Sequence, residues 1–197
     1  MTTPQMSASA AATTAAVSPV ALGVDPEHER PPARHWYSRL CGWLSKISLI
    51  LAIFGLAGII VSVQIQVFGR YVLNDTPTWA EALALQLVLY VTALGVAVGV
   101  RDAGHIGLES LVSLLPESMR LKLEILIHLL VALFGGIMVQ SGVLWTRMKW
   151  DELDPMLQLP VGIDYLSLVI AGVLIVMFSF EHIVALLRDE EVVPSWY

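Results

Sequence analysis

The chemistry this chain could perform rests on a few histidines, carboxylates, amides and cations. His105, His128 and His182 are the histidines outside the amino-terminal region. Two imidazoles facing each other across a helical bundle ligate a haem iron. His128 and His182 are the two that fall within long apolar stretches, so at most one haem would fit. Glu181 directly precedes His182, and a chain of acids and imidazoles would relay protons. No such series continues from these residues, so a direct His128–Glu181 contact is the simpler expectation for ionisable groups held in an apolar setting. The single cysteine, Cys41, excludes an intrachain disulfide and a cysteine-based metal cluster. No catalytic constellation, resident metal or cofactor is expected, and a single-haem four-helix membrane cytochrome subunit, or a generic membrane scaffold of another complex, stands as the alternative function.

The remaining polar residues suit contacts between helices. Gln64, Gln86 and Gln140 each lie five or six residues from an outer helix end, at Gly69, Glu81 and Thr146. Amides buried in lipid seek amide partners, so this layer would bond between helices or grip a partner, unless its members face the headgroups. Gly95 and Gly99 form a small-xxx-small pair, and Gly135-Gly136 with Gly142 offer a second surface for close approach. Glu81 has two readings. It pairs with Arg70 or docks a partner, or it closes a capping box with Thr78 over Trp79 and Ala80. Arg70 itself either meets a partner or extends to the interface.

The elements that must hold these residues follow from composition. Of 197 residues 56% are hydrophobic and 14% charged, and the mean hydropathy is +0.73. Soluble chains are about half apolar and a quarter charged. A domain of this size keeps much of its chain at the surface, so the apolar excess argues against a soluble enzyme or binding module. A net charge of −6 argues against a nucleic-acid partner. Residues 1–35, rich in Ala, Thr, Ser and Pro, read as a disordered tail without the pattern of a secretory signal.

Four uncharged stretches follow. They run from Ile47 to Gly69, Ala82 to Val100, Ile125 to Thr146 (with His128 inside) and Tyr165 to Phe180. Roughly 20 apolar residues cross a bilayer as a helix, where the backbone must satisfy itself. The expected fold is therefore all-α, with spans near 43–69, 80–101, 122–147 and 161–187. These make a transmembrane domain over 36–190, followed by a short end at 191–197. Arg30, Arg34, Arg39, Lys46, Arg101, Arg120, Lys122 and Arg188 gather on the side of both termini. Arg70, Arg147 and Lys149 are alone on the other side. This places both termini in the cytoplasm. Trp36, Trp43, Trp79, Trp145 and Trp150 lie near span ends, where amphipathic rings prefer the interface. Leu108, Leu111, Val112 and Leu115 recur at helical spacing in the middle loop. They predict an amphipathic helix lying in the cytoplasmic interface, ended by Pro116, with a short extension of the second span as the alternative.

In this frame the segments FGRYVLNDTPTWAEAL, LGVAVGVRDAGHIGLESLVSLLPESMR and LPVGIDYLSLVIAGVLIVMF resemble the small membrane subunit of TRAP transporters, the DctQ family. The resemblance covers about residues 43–187. It rests on Arg70-Tyr71, Trp79, Glu81, Gly95, Arg101, His105, Glu109 and the Leu115-Pro116 pair, in that order. It departs at Ala82, where the family often has a second carboxylate. The resemblance implies a bacterial inner-membrane importer of organic acids in three parts. A periplasmic substrate-binding protein captures the solute. A large membrane subunit moves it, usually with a sodium gradient. The small subunit is a non-enzymatic scaffold beside the large one. The outer charges Arg70, Lys149, Asp151, Glu152 and Asp154 are then expected to meet the periplasmic protein.

Overall fold

The computed structural model describes residues 36–75, 77–102 and 117–188, together with Val192. Four long helices carry the described residues. They are α1 (Trp36–Phe68), α2 (Thr78–Asp102), α3 (Glu117–Met148) and α4 (Gly162–Leu187). Each is long and apolar enough to cross a membrane. The expected tail over 1–35 and the expected interfacial helix, with His105 and Glu109, lie outside the described residues.

α1 begins seven residues before the expected start of the first span, at Trp36 rather than 43. Arg39 and Lys46 depress the hydropathy there, yet the inward side of these turns is well filled. Cys41, Ser45 and Ser48 are buried. The inward side continues at intervals of seven through Cys41, Ser48, Gly55, Ser62 and Gly69. A Cβ on Gly55 would stand 2.5 Å from Val91 Cγ2, and one on Gly58 3.0 Å from Leu87 Cδ1. Small residues at a 3.5-residue period let two helices lie close at a shallow crossing angle. α1 packs on α2 in this way.

At the carboxyl-terminal end of α1 the helix widens into a π turn, Gly69–Leu73. Asn74 then takes a left-handed conformation (φ 56°) and its N–H returns to the Gly69 carbonyl. Gly69 is required here, because a Cβ would come within 2.7 Å of both the Asp75 carbonyl and the Pro77 ring.

α3 and α4 form the second hairpin, also through glycines. A Cβ on Gly172 would meet the Gly135 carbonyl at 2.7 Å and Val139 N at 3.0 Å. One on Gly142 would meet Val169 Cγ2 at 2.7 Å. The hairpins join through α2 and α4, and α1 touches α4 along a shorter stretch, so the helices succeed one another as α1–α2–α4–α3. α4 is accordingly the most enclosed: half of its most apolar window is buried, against 11–17% for the other three. Cys41, Ala97, Leu174, Ile175 and Phe178 form the core between the hairpins. The outward faces of α1 and α3 carry Ile53, Phe54, Leu133 and Phe134, all exposed. A bilayer covers such faces and water would not.

Candidate functional site

The end of the bundle where α1 starts and α4 finishes holds a buried ion cluster. Arg101, one residue before the end of α2, and Glu181, late in α4, are 3% and 2% exposed. Arg101 Nε donates to Glu181 Oε2 at 2.9 Å and Nη2 to Oε1 at 3.2 Å, a two-pronged pair. Nη1 reaches Asp102 Oδ1 at 3.1 Å. From α1, the Ser38 hydroxyl donates to Glu181 Oε1 at 2.8 Å and the Tyr37 hydroxyl to the Met177 carbonyl at 2.9 Å. The Arg101 guanidinium also lies 6.0 Å from the centre of the Phe178 ring.

Histidines complete the cluster. His182 Nε2 lies 2.9 Å from the Arg101 carbonyl. His128, on α3, stacks on His182 with ring centres 4.5 Å apart and planes 6° apart. All four helices thus contribute. A buried charge without partners would cost several kcal/mol, so this density of donors and acceptors is what permits the pair.

Sequence reading paired Glu181 with His128. The structure instead gives Glu181 to Arg101, whose forked guanidinium satisfies both carboxylate oxygens. Sequence reading misses Tyr37, Ser38 and Asp102, although opposite charges at the same helical depth on α2 and α4 are available as a signal. The arrangement also does not suit a haem. The two imidazoles lie face to face, and His182 Nε2 is directed at a backbone carbonyl. They do not present nitrogens to one iron from opposite sides.

At the other end, Glu81 accepts a bond from Gln66 Nε2 of α1 at 3.4 Å. It reaches across the hairpin rather than back to its own helix start. Arg70 is exposed and has no ion-pair partner among the described residues. Trp79 is 46% exposed, and Trp145 stacks on Tyr165 at 5.7 Å. The three glutamines do not converge. Gln64 and Gln140 point outward, while Gln86 lines a cleft. Among the described residues, no atom lies within 4 Å of a Cβ built on Gly95 or Gly99, so neither packs against the other three helices.

The 149–161 connection is stiffened by its own bonds. Lys149 Nζ lies 2.7 Å from both Glu152 oxygens. Asp154 Oδ1 accepts from the N–H groups of Met156 (2.7 Å) and Leu157 (2.9 Å). Leu153 pairs with Pro160 in an isolated β-bridge, and Gln158 is left-handed at φ 55°. Three of the outer charges expected to meet a periplasmic protein are therefore engaged within this loop. Asp151 and Arg70 are the exposed charges of that set with no bond or ion pair among the described residues. Between the loop and α2 lies a cleft of about 220 Å3, lined by Glu81, Ala82, Leu85, Gln86 and Leu89 with Asp154, Met156, Leu157 and Asp164.

Four membrane-crossing helices whose polar side chains bind helix to helix define a multi-pass integral membrane subunit. The chain belongs to the DctQ component family of tripartite ATP-independent periplasmic transporters, whose sequence model matches residues 59–189. It is 24% identical over 147 residues to the sialic acid TRAP transporter small permease protein of Vibrio cholerae, covering 74% of this chain and 84% of that protein. It is 30% identical over 79 residues to the C4-dicarboxylate TRAP transporter small permease protein of Pseudomonas aeruginosa, covering 40% of this chain and 38% of that one. It is also 32% identical over 108 residues to the sialic acid TRAP transporter permease protein of Haemophilus influenzae. That match covers 55% of this chain and only 16% of the much longer relative. These relatives are named as TRAP transporter permease proteins, and the chain is a small permease subunit of this transporter class.

Proposed function

We propose that the subunit is a membrane scaffold for the large permease of a TRAP system that imports an organic acid with a sodium gradient, supplied by a periplasmic binding protein. One observation carries this reading. In the Haemophilus influenzae permease, a segment similar to this chain occupies 16% of a single long polypeptide. Covalent attachment keeps such a segment permanently beside the rest of a permease, the arrangement a separate scaffold would reproduce by binding. Supporting it, the uncharged stretches leave no charged group at mid-membrane, where secondary transporters place their solute and ion sites. The names of the relatives point to carboxylate solutes, sialic acid or C4-dicarboxylates.

The test is co-expression with the large permease of the same transport system. A tag on this chain should retain the large permease through detergent purification. A large permease that is recovered and transports at full rate without this chain would contradict the scaffold role.

Both termini are proposed to be cytoplasmic, on the distribution of Lys and Arg. A reporter fused after Tyr197 should then be active only as a cytoplasmic fusion, and one inserted at Asp151 only as a periplasmic fusion. Opposite locations for the two termini would overturn this topology.

A further inference from the structure

We propose that the open face of α2, with the acidic cleft at its outer end, seats a membrane-spanning helix of the large permease that carries a lysine or arginine near that end. This rests on the scaffold reading and adds to it the face and the chemistry of the partner.

The face consists of Glu81, Leu85, Val88, Thr92, Gly95 and Gly99. Successive members are four and three residues apart, so they form one straight seam of the kind a second helix follows at a crossing angle near +20°. Leu85 and Val88 are 63% and 43% exposed, and among the described residues nothing stands over Gly95 or Gly99. α2 lies inside the helix row, with α1 on one side and α4 on the other. Its glycines lower the surface along the seam, with the exposed Leu89 and Val96 beside it.

Lipid gives little net drive for association, because acyl chains are as apolar as the side chains they cover. Close backbone approach and polar contacts supply the drive instead. Thr92, Gly95 and Gly99 offer the first. The outward face of α1 is filled by Ile53, Phe54 and Ile60. That of α3 carries Leu129, Leu133 and Phe134 and one open glycine, Gly136, which stands between the exposed Leu133 and Ile137 without the second open glycine that α2 has one turn on. α4 exposes only a narrow file, Leu166, Val173, Phe180 and Leu187.

The cleft supplies the polar contact. Glu81 and Leu85 belong to both seam and cleft. The lining holds three carboxylates, Glu81, Asp154 and Asp164, and no cation. Leu85, Leu89, Met156 and Leu157 form apolar walls beside them. At about 220 Å3 the cleft falls below the roughly 300–1,000 Å3 of small-molecule sites. Apolar walls with acids at one end match a long basic side chain, whose stem is aliphatic and whose head is charged. Placing a cation there relieves the mutual repulsion of the carboxylates near the low-dielectric membrane.

The experiment places a photo-crosslinking phenylalanine analogue singly at Val88, Thr92, Ile53 or Leu133 of the full chain, co-expressed with the large permease. Adducts with the large permease are expected from Val88 and Thr92 and not from Ile53 or Leu133. In parallel, Glu81→Lys should lower the co-purified large permease at least about tenfold, since like charges meeting at an interface cost several kcal/mol. Glu81→Gln should lower it less. Accumulation of this chain in the membrane, followed by a fluorescent fusion, should be unchanged in all variants. Adducts only from Ile53 or Leu133, or undiminished co-purification with Glu81→Lys, would overturn the proposal while leaving the scaffold reading intact. Failure of the unsubstituted chain to co-purify would overturn both.

Discussion

Replacing Arg101 with alanine should remove most of the folded subunit from the membrane. The substitution strands the Glu181 carboxylate, which is 2% exposed, and takes the guanidinium from Asp102 as well. Breaking a buried pair from one side costs about 3–5 kcal/mol. Whole domains are stable by only about 5–15 kcal/mol. Glu181→Gln should be milder, on the order of 1–3 kcal/mol, because an amide oxygen can still accept from Arg101 and Arg101 keeps Asp102. The order of the two effects is the informative part. Thermal unfolding of the purified subunit in detergent should rank wild type above Glu181→Gln and Glu181→Gln above Arg101→Ala. Equal stability of wild type and Arg101→Ala would show that the pair does not hold the two hairpins together.

This cluster also shows where sequence reading stops. Arg101 and Glu181 are both evident as charges at the edge of apolar windows, and their depth follows from counting residues. Their partnership depends on α2 lying beside α4, and hydropathy carries no information on which helices adjoin. The glutamine layer shows a related limit. Depth was legible for Gln64, Gln86 and Gln140, but rotation about each helix axis was not, and two of the three face outward.

Rotation was nevertheless written in one place. The sevenfold spacing of Cys41, Ser48, Gly55, Ser62 and Gly69 marks the inner face of α1, and it would also have moved the helix start back toward Trp36. The 149–161 connection is a further case. Asp154 followed by Pro155 is a turn-forming pair whose carboxylate binds nearby N–H groups, so its role within the loop could have been read locally. The four spans themselves were legible because membrane crossing depends on length and apolarity, both local properties.

The central claim is that this chain supports transport without performing it. Its most direct test is uptake into liposomes of a labelled organic acid that the system's periplasmic protein binds, under an inward sodium gradient, with components left out one at a time. The large permease, this subunit and the loaded periplasmic protein together should accumulate the solute. This subunit alone should accumulate none, and omitting it should reduce uptake to near background. Solute-specific uptake by this subunit alone, or full uptake by the large permease in its absence, would contradict the account.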